Sequence, residues 1–128
     1  MEDIRTIEFC DLVMTRSYLN EINNEIKWII RFIDLSNVNS HLEIIKNNVN
    51  FFGSMLEKKK NYYGSDYENT KYYVLAFNIF DSLKVEFEKF EINMNHNDAI
   101  KFGASLIKKI KEDIKKLQNY IRKFNQND

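Results

Sequence analysis

GASLIKKIKEDIKKLQNYIRKF, residues 103–124, is the stretch that most clearly decides the fold of this chain. Its apolar residues recur in alternating steps of three and four, so they fall on one face of an α-helix with about 3.6 residues per turn. Asn95 or Asn97 is a suitable N-cap upstream. The pattern predicts an amphipathic helix over about 97–124, with the apolar stripe Gly103, Ile107, Ile110, Ile114, Leu117, Ile121 and Phe124.

The same spacing occurs three more times upstream and predicts three further long helices. In the first of them, a regular stripe begins at Leu19, and the apolar residues before it are out of phase with that stripe. We therefore expect a kink or a separate short helix near residues 14–17. The three helices are expected at about 3–34, 40–62 and 65–92.

Local signals mark the ends of the two middle helices. Ser40 with Glu43 and Ser65 with Glu68 have the spacing of capping boxes, which satisfy free backbone N–H groups at a helix start. Gly64 is expected to adopt the left-handed conformation just after the second helix. The connection between the second and third helices is then very short, which favours antiparallel packing of the two.

Composition supports an all-α fold. The chain of 128 residues contains no proline and only three glycines, so the turn signals that a β-sandwich or barrel needs are missing. Gly53 lies inside a predicted helix and indicates either close approach of another helix or simple tolerance. We predict one domain, residues 1–128, folded as an up-and-down bundle of about four long amphipathic helices.

Charge and cysteine content limit the classes of function. Nineteen basic and nineteen acidic side chains cancel, so the molecule as a whole has no field that attracts nucleic acid or a membrane. Cys10 is the only cysteine and is expected in the core, and no signal peptide or membrane span is evident. We predict a cytoplasmic protein from an A/T-rich genome, either a bacterium or its virus, and in the latter case in the host cytoplasm.

Catalytic and metal-binding patterns are not found in the sequence. His41 is expected beside a helix start and His96 in a polar loop, and neither lies in a Glu-x-x-His pair or another metal-ligand spacing. No glycine-rich phosphate loop occurs either. We therefore predict that the protein is not an enzyme and has no cofactor and no metal site.

A basic ridge on the last helix is the first candidate binding site. Its cations recur along several turns and are suited to phosphates or to an acidic protein face. The alternative is an ordinary solvated helix face, which the acidic first and third helices neutralise. The ridge consists of Lys101, Lys108, Lys109, Lys115, Lys116, Arg122 and Lys123.

A tyrosine cluster around the turn between the second and third helices is the other candidate. Tyrosine is common where a surface buries a ring and keeps its hydroxyl in water, so a protein contact is plausible. The alternative is that these rings close the end of the bundle, as Tyr73 already does in the core stripe. The candidate residues are Tyr62, Tyr63, Tyr67 and Tyr72.

Together these features favour a non-enzymatic protein-interaction module, such as a small inhibitor, an immunity protein or an accessory subunit. The second hypothesis is a nucleic-acid-binding accessory protein that uses the basic ridge on the last helix. A homodimer that completes the bundle between two chains also fits the pattern.

Overall fold

The computed structural model describes residues 3–32, 37–90 and 95–126. The chain is all-α, with four long helices and one short helix in an up-and-down arrangement, and this confirms the predicted fold class. The helices are α1 (Ile4–Phe32), α2 (Val38–Tyr63), α3 (Ser65–Glu68), α4 (Lys71–Glu88) and α5 (His96–Gln126).

The long helices pack as two close antiparallel pairs, α1 with α5 and α2 with α4. Small residues permit the close approach in both pairs. A Cβ atom at Gly103 would lie 2.7 Å from Cδ1 of Ile30 on α1, and one at Gly53 would overlap the ring of Phe80 on α4. Of the two interpretations of Gly53, the structure supports close approach of another helix, because an aromatic ring packs directly on the α2 backbone there.

Helix α1 runs from Ile4 to Phe32 as one uninterrupted helix, so no separate short helix precedes residues 14–17. The buried stripe continues in phase towards the N-terminus, but polar residues occupy it. Glu8, Asp11 and Thr15 are 9%, 5% and 4% exposed and lie on the same face as Leu19. Apolar residues alone lose this phase before residue 19, because three of the buried positions there are polar.

The predicted third helix is divided into α3 and α4 by a short turn. Its second part has its own N-cap, because the Thr70 hydroxyl accepts a hydrogen bond of 3.1 Å from the backbone N–H of Tyr73. The predicted capping box at Ser65 is wrong, since Gly64 is the N-cap of α3 and no side chain caps it. The positive φ predicted for Gly64 is confirmed at 80°, and its N–H donates to the Lys60 carbonyl.

The remaining helix ends differ slightly from the predictions. Helix α2 begins at Val38 without a side-chain cap, so the expected capping box at Ser40 is also wrong. Helix α4 ends at Glu88, before the predicted end at residue 92, which lies outside the described residues. Asn95 caps α5 as predicted, because its Oδ1 accepts a 3.0 Å hydrogen bond from the N–H of Asp98.

One apolar core runs through all the long helices. Cys10 was expected in this core but is exposed, because the polar side chain of Asp11 takes the buried position beside it. Among residues 3–32, 37–90 and 95–126, no helix combines the length and the apolar character that a membrane span requires.

Candidate functional site

The four predicted contact tyrosines form a row of rings that leads from solvent into the core. Ring centroids are 4.9 Å apart for Tyr62 and Tyr63, 5.6 Å for Tyr63 and Tyr67, and 6.3 Å for Tyr67 and Tyr72. Tyr62 is 83% exposed and Tyr63 is half-buried, whereas Tyr67 and Tyr72 are 0% and 2% exposed. Tyr67 and Tyr72 therefore contribute little to the outer surface, because both turn inward to reach polar groups on α1.

Those polar groups belong to Glu8, Asp11 and Thr15, three of the four buried hydrophilic residues of α1. Asp11 accepts a hydrogen bond of 2.8 Å from the Tyr67 hydroxyl. The other oxygen of Asp11 accepts a hydrogen bond of 2.7 Å from the Lys59 ammonium group. Thr15 and Tyr72 share a 2.8 Å hydrogen bond between their hydroxyls.

Glu8, one turn before Asp11, completes this polar cluster. Its carboxylate accepts 2.9 Å from the backbone N–H of Tyr72 in the first turn of α4. Because a carboxylate is also favoured at the positive end of a helix dipole, Glu8 acts as a second cap for α4. The cluster thus holds α3 and the first turn of α4 against α1. We call this part of the molecule the α3 corner.

The buried tyrosines of this corner are hydrogen-bonding groups and not bases. Burial raises the pKa of Tyr67 far above its ordinary value of 10, and the neighbouring Tyr72 and Asp11 raise it further. Burial also raises the pKa of Tyr72, although its hydrogen bond with Thr15 opposes the shift. Both phenols therefore stay protonated at physiological pH, and Tyr67 remains a donor to Asp11.

The polar cluster forms the floor of a cavity of about 260 Å³ between α1 and α2, which we call the α1–α2 pocket. Polar floor residues lie beneath walls that are almost entirely apolar. The wall residues come from α1 and α2. The pocket is lined by Asp11, Met14, Thr15, Tyr18, Phe51, Phe52, Met55, Leu56, Lys59, Tyr67 and Tyr72.

The rim of the α1–α2 pocket is unusually apolar for a surface. Met14 is 66% exposed, Phe51 64% and Met55 37%. Tyr18 supports this rim, since its ring stacks on Phe52 at 5.8 Å and its hydroxyl donates 2.8 Å to the Asn48 carbonyl. Burial and, to a smaller extent, the carboxylate of Glu25 raise the pKa of Tyr18 to about 12, so this donor persists at neutral pH.

The rim continues along the outer face of α2. Ile44 is 52% exposed, and Ile44, Phe51, Met55 and Tyr62 follow each other in steps of seven, four and seven, which places them on one side of the helix. This side lies apart from the buried stripe of α2 and extends over about 27 Å at 1.5 Å per residue. We call these four residues the α2 apolar face.

The cations of the predicted ridge lie on the surface of α5. All seven are exposed except Lys109, which is half-buried. No carboxylate within the described ranges lies within 4 Å of any of them, although the ridge was expected to be neutralised by acidic neighbours if it were an ordinary face. The acidic groups of α1 that face the bundle, Glu8 and Asp11, are bonded to Tyr72, Tyr67 and Lys59.

The structure separates this ridge into two surfaces. Lys101, Lys108, Lys115 and Arg122 recur every seven residues on the outer side of α5, whereas Lys116 and Lys123 border a groove towards α4. The groove has a volume of about 500 Å³, and we call it the α4–α5 groove. Its lining consists of Asn69, Lys71, Val74, Leu75, Asn78, Lys116, Asn119, Tyr120 and Lys123.

Asp113 is a buried carboxylate on the same helix. It is 3% exposed, and its Oδ2 has no hydrogen-bond partner within the described residues. Burial raises its pKa above the ordinary value, and the nearby Lys109 and Lys116 only partly oppose that shift. The carboxylate lies in the buried stripe of α5 and is not available to a ligand.

His41 lines none of the cavities described here, and His96 is the first residue of α5 instead of lying in a loop as predicted. His41 is half-buried near the start of α2, and the side chain of His96 lies outside the description. In the described part of the chain, no three histidine, cysteine or acidic side chains are grouped as a metal ion requires.

The sequence analysis did not predict the α1–α2 pocket, although two features of the sequence indicate it. Glu8, Asp11 and Thr15 continue the three–four stripe of Leu19, and large apolar residues such as Phe51 lie off the stripe of α2.

Comparison of this chain with protein-family models, with curated proteins and with solved structures gives no match.

Proposed function

We propose that this protein is a non-enzymatic interaction module that binds an amphipathic helix of another protein on the α2 apolar face. In this proposal a large apolar side chain of the partner enters the α1–α2 pocket. The observation that carries the proposal is the exposed rim of Met14, Phe51 and Met55 around a cavity of about 260 Å³. Such a rim is costly in water and favourable when a partner covers it.

The composition of the pocket suits a protein partner. Methionine adapts to irregular surfaces, and aromatic side chains supply large contact areas at interfaces. The polar cluster beneath keeps the floor in one conformation, so little ordering is required when a side chain enters. A pocket that is rigid below and adaptable at its rim is typical of a binding hot spot.

The spacing of the α2 apolar face favours a helical partner. Helical segments bind through anchors at i, i+3 or i+4, and i+7, and the steps of seven, four and seven on α2 match that periodicity. Tyr62, the exposed member of the predicted tyrosine cluster, lies at one end of this face. A small inhibitor, immunity protein or accessory subunit of the cytoplasm would use a surface of this kind.

Site-directed photo-crosslinking in the source cell tests the proposal. A photoreactive residue in place of Phe51 is expected to crosslink to one other protein. The crosslinked site is expected to lie in a helical segment of that protein. The same residue in place of Val85, which is 44% exposed on α4 and lies outside the pocket, serves as the control. Equal adducts from both positions would contradict a specific surface.

Sedimentation of the purified chain distinguishes a second copy from a different partner. The proposal expects a monomer whose mass is unchanged by Phe51→Asp. A dimer that Phe51→Asp dissociates would show that another copy of this chain covers the pocket, and it would replace the proposed partner.

A second candidate function is nucleic-acid binding through the basic cations of α5. The observation that favours it is the absence of any carboxylate within 4 Å of these cations in the described ranges. Binding to oligonucleotides should then weaken steeply with salt, because bound phosphates release counterions. Affinity weaker than millimolar at low salt would exclude this function.

A further inference from the structure

The α4–α5 groove lies between two helices that have few close contacts with each other. Helix α4 is paired closely with α2, and α5 with α1, whereas α4 and α5 approach each other at few positions. A trough therefore remains between them, with Val74 and Leu75 on the α4 side and Tyr120 on the α5 side. A single extended chain can lie in such a trough along the helices.

The charge of the groove is positive. Lys71 comes from the start of α4, and Lys116 and Lys123 come from α5, with no carboxylate among the groove-lining residues. None of the three lysines forms an ion pair within 4 Å in the described ranges. Lys116 is attracted by Asp113, but that carboxylate is buried beneath the surface.

The neighbouring cavity extends this positive region towards the N-terminus of α1. It has a volume of about 280 Å³ and shares Lys71, Lys123 and Tyr120 with the groove. Its one carboxylate, Glu8, is bonded to the backbone of α4 through the Tyr72 N–H. The groove and this cavity thus adjoin each other at Lys71, Tyr120 and Lys123.

Groups suited to nucleobases lie between the cations. Tyr120 is half-buried, and burial raises its pKa, with Glu8 adding to the effect, so its ring is neutral at physiological pH. A neutral tyrosine ring stacks on bases regardless of their sequence. The amides of Asn69, Asn78 and Asn119 are exposed in the groove and both donate and accept hydrogen bonds, as base edges require.

We propose that the α4–α5 groove binds single-stranded nucleic acid, with phosphates on Lys71, Lys116 and Lys123 and a base stacked on Tyr120. The proposal rests on the second candidate function and locates it. A duplex presents its phosphates on a convex surface that the outer row of α5 would meet better than the groove. An acidic peptide would use the lysines but has no flat base to stack on the ring.

Matched charge reversals on one helix test the location. Lys116→Glu/Lys123→Glu changes the groove, and Lys108→Glu/Lys115→Glu makes the same charge change on the outer side. Binding of a fluorescent 12-residue deoxythymidine strand is measured by anisotropy over a series of salt concentrations, with helicity checked by circular dichroism. The groove variant is expected to lose at least tenfold in affinity, and the outer variant less than threefold.

The salt slope gives an independent readout. Two lost phosphate contacts should reduce the slope of log affinity against log salt by about 1.4 in the groove variant, at about 0.7 per contact. If the outer variant loses more affinity than the groove variant, nucleic-acid binding stands but its location in the groove is wrong. If the wild type binds no strand at low salt, both the groove and the second candidate function are wrong.

Stacking is tested with the wild-type protein and Tyr120→Leu, and ligand class with the wild-type protein. A strand of the same length without bases should bind about tenfold more weakly, and Tyr120→Leu should abolish that difference. A duplex of equal length and a polyglutamate chain should each compete at least tenfold less well than the strand. Equal competition by polyglutamate would overturn the proposal in favour of an acidic protein partner.

Discussion

In helix α1, the residues before and after Tyr18 share one buried face, but three of the buried positions before Tyr18 hold polar side chains. The later half buries Leu19, Ile22, Ile26 and Ile29 against α5. The earlier half places Glu8, Asp11 and Thr15 in equivalent positions, and each of them has a hydrogen-bond partner on another helix. The comparison shows that one helical periodicity can support both an ordinary core and a polar floor for a pocket.

The energetic difference between the halves is expected to be large. Apolar burial stabilises a fold without directional requirements, whereas buried polar groups stabilise only when all partners are present. The polar half of α1 therefore fixes the position of the α3 corner more than it adds to stability. The apolar half of α1 is expected to contribute more to the free energy of unfolding than the polar half.

The largest effect is expected from the apolar half. Ile26 is 0% exposed, and Ile26→Ala should lower the free energy of unfolding by about 3 kcal/mol, because it leaves a cavity between α1 and α5. Urea denaturation measures the change. Met14→Ala, at a residue 66% exposed on the same helix, is the control and should cost under about 0.5 kcal/mol.

The polar half should give a smaller and non-additive effect. Asp11→Ala removes the acceptor of the buried Tyr67 hydroxyl and should cost about 2 kcal/mol, whereas the half-exposed Lys59 can return to water at little cost. In Tyr67→Phe/Asp11→Ala the orphaned hydroxyl is absent, so the two losses should overlap by about 1 kcal/mol. Strictly additive losses in urea denaturation would show that the two side chains are not coupled.

The corner itself can be weakened without touching α1. Thr70→Ala removes the side-chain cap of α4 and should cost about 1 kcal/mol, whereas Thr70→Ser keeps the hydroxyl and should cost little. If Glu8 alone held the start of α4, the two variants would have equal melting temperatures.

The smallest effect concerns Asp113, which is buried like Asp11 but lacks a partner for Oδ2. Because burial raises its pKa, the native state holds this proton more tightly than the unfolded state. The free energy of unfolding should therefore fall as pH rises from the ordinary value of 3.8 through the folded pKa. Asp113→Asn should lack this loss and raise Tm at pH 7 by about 3 °C.

Thermal melts at several pH values measure this difference. Glu21→Gln, at an exposed residue of α1 with the same change of charge, is the control and should leave Tm nearly unchanged. A lower Tm for Asp113→Asn than for the wild type would mean that the buried carboxylate is stabilised by a partner in solution.

The number and class of the long helices followed from the sequence because apolar periodicity is a local property. Helix α5 illustrates this, since its stripe alone specified an amphipathic helix and residue type limited its N-cap to Asn95 or Asn97, of which Asn95 is the cap. The break between α3 and α4 was not readable, because Thr70 acts as a cap only once α3 has ended. The capping boxes expected at Ser40 and Ser65 failed for the same reason, since their geometry depends on where the preceding chain enters.

The candidate sites depended still more on the tertiary structure. The sequence identified the cations of α5 and the tyrosines as groups, because residue type and spacing suffice for that. Only the packing of α1 against the α3 corner decided that Tyr67 and Tyr72 turn inward, that Asp11 joins the core and that Cys10 does not. Only the pairing of α4 with α2 and of α5 with α1 left the groove that separates Lys116 and Lys123 from the outer row. Periodicity determines which face of a helix is buried. Contacts between residues far apart in the chain determine which helix covers that face and which gaps remain between helices.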